Sequence, residues 1–241
     1  MRVRILGIGM GPRHVTQEVA DALRGCDYAV AARKHDDDGL LALRQTVCDT
    51  YGVPLVTVPD PERDRDDPAD YPAAVAAWHE ARVAAYERVL GACGGTAAFL
   101  VWGDPALYDS TLRIVERIAA RGVVPVEHDV LPGVSAPQLL AARHRIVLHE
   151  VGRPVHVTPA RRLREAVDAG QDNIVVMLGG KPAFEGLEHW SVWWGANVGT
   201  DTEELVAGRV GDVLPGIDAA RTRAKDRAGW VMDVALLRRP V

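Results

Sequence analysis

The sequence predicts an α/β protein of two domains, the first built on a mainly parallel sheet and the second on a mixed sheet. Three observations carry this. Apolar runs at residues 3–8, 99–102 and 130–131 each end in a turn punctuated by Gly and Pro. Each turn leads into a stretch whose apolar residues recur at helical spacing, and strand–turn–helix is the unit from which parallel sheets are assembled. Beyond about residue 145 the texture changes: apolar strands follow one another with fewer helices between them, which favours a mixed sheet. A boundary is expected near residue 133, giving domains 1–133 and 134–241, with no flexible linker between them.

The elements follow in order. Residues 3–8 form a strand running into Gly7-Ile8-Gly9-Met10-Gly11-Pro12, and Thr16 is placed to cap a helix ending near Leu23. The turn falls short of the dinucleotide fingerprint, because Pro12 stands where its last glycine belongs. The second strand, residues 28–31, leads to Ala32-Arg33-Lys34 and brings no ribose-binding acid. Asp36-Asp37-Asp38 is expected to be a solvated turn capping a helix over 40–51; three consecutive acids point in different directions and make a poor metal site. A third strand at 54–58, a mobile loop at 60–70 rich in Pro, Asp and Arg, and a long helix over 71–90 come next. On that helix Val75, Trp78, Val83, Tyr86 and Leu90 approximate one face, with His79 exposed.

Phe99-Leu100-Val101-Trp102 reads as a strand buried on both faces, halted by Gly103-Asp104-Pro105. Asp109, Ser110 and Thr111 then offer caps to a helix carrying Leu112, Val115 and Ile118. A strand over 123–126 and 130–131 reaches Pro132-Gly133-Val134-Ser135-Ala136 and a helix over 138–143. In the second half, strands are expected at 155–158, 174–178, 192–194, 205–213 and 230–237, with a polar helix over 217–227.

Composition narrows the function. Hydrophobic residues make up 48% and charged residues 25% of 241, and a net charge of −5 disfavours non-specific nucleic-acid binding. No apolar run nears the ~20 residues of a membrane helix, and no signal-peptide pattern opens the chain. Cys26, Cys48 and Cys93 are widely spaced and fit reduced thiols of a cytoplasmic protein. All but three of the 28 basic residues are arginine, the lysines being Lys34, Lys181 and Lys225. Arginine suits carboxylates and phosphates, although a GC-rich coding bias accounts for most of this excess.

Chemically, the eight histidines form no metal-binding pair, so no metal is expected, and neither a nucleophile elbow nor a phosphate loop is present. What remains is three glycine turns, at 7–12, 103–108 and 132–136, on the carboxyl edge of one parallel sheet, where open α/β sheets bind ligands. An enzyme with this inventory works mainly by positioning bound molecules, an effect that supplies ~7–11 kcal/mol.

Taken as an ordered set, these motifs resemble the tetrapyrrole methylases. Gly7-Ile8-Gly9-Met10-Gly11-Pro12 is similar to the opening loop of the family, Gly103-Asp104-Pro105-Ala106-Leu107-Tyr108 to its central motif, Pro132-Gly133-Val134-Ser135-Ala136 to its third turn, and Val175-Val176-Met177-Leu178-Gly179 to a later strand end. Arg13 and Leu178 depart from the pattern. The resemblance implies two α/β domains with S-adenosylmethionine as methyl donor in the cleft between them, a tetrapyrrole substrate and a homodimer. Carried over by motif position, the implied cofactor contacts are Pro12, Trp102, Gly103, Asp104, Leu107, Ser135, Ala136 and Met177, with Asn197 and Val198 in a stretch of looser alignment. Asp104 and Tyr108 are the candidate catalytic groups by position, and Arg143, His144 and Arg145 the candidate partners of substrate carboxylates. Residues 131–151 and 229–239 are similar to the family member that methylates precorrin-5 at ring carbon 1 and releases acetate in aerobic cobalamin synthesis. Methylation of another precorrin, of ribosomal RNA or of diphthamide, and a non-catalytic tetrapyrrole carrier, are the alternatives.

Overall fold

The computed structural model describes the chain apart from residues 34–38, 62–70, 180–183 and 241. The expected caps Asp36, Asp37 and Asp38, most of the 60–70 loop, Gly180 and two of the three lysines, Lys34 and Lys181, lie outside the described residues, as does the side chain of Val75. The chain divides into two compact units, Met1–Val134 and Ser135–Val241.

The first unit is a five-stranded sheet in the order β3-β2-β4-β1-β5, made of β1 (Arg2–Gly7), β2 (Tyr28–Arg33), β3 (Leu55–Pro59), β4 (Thr96–Val101) and β5 (Glu127–Leu131). Every pairing is parallel, so all the strand-to-helix turns share one edge. The strands are buried on both faces, as their unbroken apolar runs demand. Val3, Ile5, Tyr28, Val30, Phe99 and Val101 face a core with α3 (Tyr71–Cys93) and α4 (Thr111–Arg121). Leu6, Ile8, Ala29 and Leu100 face the opposite one, with α1 (Gln17–Arg24) and α2 (Gly39–Tyr51). Thr16 caps α1 as expected, its hydroxyl accepting the Val19 N–H at 3.2 Å. His79 is half-buried rather than exposed.

The second unit holds a mixed sheet in the order β6-β7-β10-β8-β9, from β6 (His156–Pro159), β7 (Asn173–Met177), β8 (Ser191–Ala196), β9 (Glu204–Arg209) and β10 (Asp233–Arg238). Only β6 and β7 are parallel; β10 runs antiparallel to both β7 and β8. One face packs on α6 (Leu163–Asp168) and α7 (Val210–Ala228) through Trp194, Ile217 and Ala220, and α5 (Ala136–His144) lies against β8 and β10. The first-half/second-half contrast of the sequence is therefore parallel against mixed, as expected.

Two expected strands move. Residues 123–126 lie outside β5, because Gly122 closes α4 in the left-handed conformation and the pairing with β1 begins only at Glu127. The 205–213 strand stops at Arg209: the Val210 and Gly211 N–H groups turn to Trp190 and Glu188 carbonyls, and α7 starts there, carrying Pro215 inside it. All three cysteines are free, and burial pushes the Cys26 and Cys48 thiols up to about 11. Among the described residues no helix is long and apolar enough to cross a membrane.

Candidate functional site

In the first unit the three glycine turns meet at backbone distance. Beyond β1, the Ile8 N–H donates to Val101 O, and Gly9 and Gly103 exchange hydrogen bonds, Gly103 N–H to Gly9 O at 2.8 Å and Gly9 N–H to Gly103 O at 3.2 Å. Both residues have positive φ, 63° and 75°, a region open to glycine without penalty. A Cβ on Gly7 would come 2.5 Å from Gly133 N, and one on Gly133 would strike Gly103 O. No side chain fits between these turns, so glycine is required here by close approach as well as by φ.

Asp104 ties the same turns together. Its Oδ1 accepts the Ala106 N–H at 2.7 Å and its Oδ2 the Gly133 N–H at 3.0 Å, while the Asp104 carbonyl accepts from Leu107 N–H at 3.1 Å. Both carboxylate oxygens are thus engaged by main-chain donors, and the side chain braces the turns. Tyr108 stands at the turn's far end with φ 52° and 45% exposure. Trp102 is half-buried against the Leu6, Ile8 and Leu131 core, and its indole Nε1 is a buried donor with no acceptor among the described residues. Pro12 opens a short 3-10 turn, Pro12–His14, and Leu107 is half-buried.

In the second unit, Ser135 caps α5 in a reciprocal box: its N–H and hydroxyl both donate to Gln138 Oε1 at 2.9 and 2.8 Å, and its Oγ accepts from Gln138 N–H. Ala136 is the first residue of that helix. Met177 ends β7 half-buried, followed by Leu178 with φ 53° and 61% exposure, a non-glycine residue in a strained conformation.

Asn197 and Val198 prove to be packing residues. Asn197 is 1% exposed with φ 48°. Its Nδ2 donates to Thr202 Oγ1 and Trp230 O, its Oδ1 accepts from Met232 N–H, its own N–H donates to Met232 O, and its carbonyl accepts from Thr200. The side chain is used up in tying two loops to β10. Val198 fills the space above Gly195 beside Leu140.

The three expected substrate residues are likewise committed in part. Arg143 Nε donates to both oxygens of Glu203 at 3.0 Å, and His144 Nε2 lies 3.1 Å from Trp194 O. Both pin the end of α5 to the β8–β9 region. Arg145 is exposed, ends α5 in the left-handed conformation, and makes no ion pair among the described residues. Missed by the sequence reading is a cavity beside the glycine turns, on the same edge of the parallel sheet, whose arginines are scattered over separate helices and give no linear signal.

Residues 2–214 match the model of the tetrapyrrole (corrin/porphyrin) methylases. A precorrin-6A synthase [deacetylating] of Sinorhizobium sp is 40% identical over 249 residues, covering 99% of this chain and 95% of that protein. The crystal structure of CobF, a cobalamin synthesis related protein of Corynebacterium diphtheriae, superposes with a TM-score of 0.83 at 35% identity, covering 99% of this chain and 98% of the other. A uroporphyrin-III C-methyltransferase of Thermus thermophilus, solved with S-adenosylhomocysteine, shares the fold with a TM-score of 0.59 at 18% identity, over 98% and 92% of the two chains.

Proposed function

The chain belongs to the tetrapyrrole methylase family, and we propose that it is the S-adenosylmethionine-dependent methyltransferase that converts precorrin-5 to precorrin-6A with release of acetate in cobalamin synthesis. The observation that carries this reading is end-to-end identity of 40% with a precorrin-6A synthase, joined to three glycine turns that meet at backbone distance. S-adenosylmethionine supplies a sulfonium-bound, electrophilic methyl group.

The residues present suit that molecule. Among the described residues Trp102 Nε1, beside Gly103, is a buried donor without an acceptor, and such donors call for one. Pro12, Trp102, Gly103 and Leu107 would form its contacts in the first unit. Asp104 would act by fixing the turns rather than by moving a proton. Tyr108 is left as the candidate polar group near the reacting carbon. Rate enhancement then comes chiefly from orientation, worth up to ~7–11 kcal/mol, on turns that have little freedom to relax. The free cysteines support a reducing compartment, and the family habit supports a homodimer.

Purified protein incubated with precorrin-5 and S-adenosylmethionine should yield a tetrapyrrole heavier by one methyl and lighter by acetyl, with one equivalent of free acetate. Methylation without acetate, or turnover only on another precorrin, overturns the assignment. Calorimetry with S-adenosylhomocysteine tests the enzyme class separately: micromolar binding is expected, and none at millimolar concentration leaves only a carrier.

A further inference from the structure

Among the described residues, four other than glycine take the left-handed conformation: Tyr108, Arg145, Leu178 and Asn197. Arg145 closes α5, its N–H donating to the Ala141 and Ala142 carbonyls. Asn197 spends its side chain on three hydrogen bonds in the core. Tyr108 completes the turn that Asp104 braces. Leu178 has no such account. It follows Met177, the last residue of β7, with φ 53° and 61% exposure. In this conformation the leucine Cβ crowds the following carbonyl oxygen, a cost that glycine escapes. So exposed a side chain recovers little of that cost by burial. Backbone and packing both favour glycine at position 178, and leucine stands there.

Its place in the second unit gives the exception a direction. β6 and β7 run parallel, with Thr158 beside Val176 and Pro159 beside Met177. Leu178 therefore lies just past their shared carboxyl edge, the edge at which parallel strands present ligand sites. The next residue is closely backed: a Cβ on Gly179 would come 3.3 Å from Ala160 Cβ and 3.5 Å from Asp233 Oδ1. Ala160 begins the short 3-10 turn after β6, and Asp233 opens β10 with its other oxygen held by Arg221 Nε at 3.1 Å. The turn that carries Leu178 is thus seated on two neighbouring elements. Strain of this kind persists where a function requires it.

We propose that Leu178 packs against the apolar face of the bound tetrapyrrole and sets how that ring is seated. This rests on the tetrapyrrole reading above. The substrate carries its charge on peripheral carboxylates and is apolar over the ring face, a surface that an aliphatic side chain covers and hydrogen-bonding groups do not. Covering most of an exposed leucine is worth about tenfold in affinity. The amino-acid and sulfonium ends of the cofactor are charged and gain nothing from a leucine; its adenine face is the competing partner, and the test separates the two.

Leu178→Asn and Leu178→Met form the test. Asn is close to leucine in size and accepts the left-handed conformation more readily, so it relieves the backbone while removing the apolar contact. Met keeps the apolar surface. Leu178→Asn should melt no lower than the parent, while its KM for precorrin-5 rises about tenfold with kcat within threefold. In Leu178→Met, KM should stay within threefold. Equal KM in the parent and both variants, or an equal rise in both variants, overturns the proposal. So does a lower melting temperature in Leu178→Asn, which would make the leucine a packing residue. Fluorescence titration with uroporphyrin, an octacarboxylate, is run alongside without cofactor. If the parent does not turn over precorrin-5, weaker uroporphyrin binding by Leu178→Asn alone upholds the contact and faults the substrate assignment instead; equal binding by all three proteins overturns the contact. S-adenosylhomocysteine affinity by calorimetry should be equal in all three. A tenfold loss in Leu178→Asn with KM unchanged assigns the leucine to adenine, and weaker self-association in sedimentation with KM unchanged assigns it to a second copy of the chain; either result overturns the proposal.

Discussion

Asp104 Oδ2 accepts the main-chain N–H of Gly133 at 3.0 Å, across 29 residues of sequence. This single bond links the turn after β4 to the turn after β5, and the other oxygen of the same carboxylate shapes the β4 turn itself through Ala106. Asp104→Ala removes both acceptors and leaves the Gly133 N–H half-buried without a partner, at a cost of about 1–3 kcal/mol. Urea unfolding should show that loss, and calorimetry should show S-adenosylhomocysteine affinity reduced at least tenfold. Asp104→Asn, which keeps one oxygen, should fall between. A variant that keeps stability and cofactor affinity but loses turnover would make Asp104 a catalytic residue after all.

The glycine contacts revise what substitution at the central turn should do. On a solvent-facing turn Gly103→Val would spare the fold. In the structure Gly103 is buried, has φ 75° and pairs with Gly9, so a β-branched residue is strained there whatever the ligand. Gly103→Val and Gly133→Ala should each lower stability by roughly 1–3 kcal/mol or more, read as a fall in melting temperature without any ligand present. Unchanged melting with lost cofactor binding would restore the simpler view.

How much was legible follows from where the constraint lives. Glycine turns announce themselves, because close approach and positive φ exclude other residues, and unbroken apolar runs reveal strands buried on both faces. Asp104 could be placed in a motif but its task could not, since the task is set by a Gly133 N–H that reaches it only in the folded sheet. The packing task of Asn197 is hidden for the same reason: its partners Trp230 and Met232 come from the far end of the chain. Leu205, Val206 and Val213 look like one strand by alternation, and Pro215 looks like a break. Tertiary hydrogen bonds from Val210 and Gly211 decide instead that a helix begins. The cavity arginines carry no local pattern at all.

Arg143 can be checked directly. Its Nε donates to both carboxylate oxygens of Glu203, and Oε2 of that carboxylate also takes the Gly199 N–H at 2.6 Å, which fixes the loop between β8 and β9. Arg143→Ala should leave KM for the tetrapyrrole within threefold and lower stability by about 0.5–2 kcal/mol. A tenfold rise in KM with unchanged melting would return Arg143 to the substrate.

Asn197 should behave as a core residue. Asn197→Ala strands the Met232 N–H and removes three side-chain hydrogen bonds around a residue that is 1% exposed. About 2–4 kcal/mol of stability should go, while any change in S-adenosylhomocysteine affinity measured well below the melting temperature should stay under threefold. A loss of affinity at preserved stability would mark a ligand contact.

Asp233 opens β10 with a side chain 6% exposed; Arg221 Nε donates to its Oδ2 at 3.1 Å, and Oδ1 has no partner among the described residues. Burial raises its pKa above the usual 3.8, and the opposing pull of Arg221 does not cancel this. The folded protein thus holds this proton to higher pH than the unfolded chain, which releases it near 3.8. Between the unfolded value and the raised folded value the unfolded state binds fewer protons, so this residue's contribution to stability is complete below that window and lost as pH rises through it. Above the window the ionised group stays buried at a cost. Asp233→Asn cannot titrate, and although losing the Arg221 partner displaces its stability by a constant amount, that offset does not depend on pH. Urea unfolding of parent and variant from pH 4 to pH 7 should therefore show the difference moving in the variant's favour as pH rises. Parallel curves, or movement in the parent's favour, would mean that Arg221 outweighs burial and holds the Asp233 carboxylate ionised throughout.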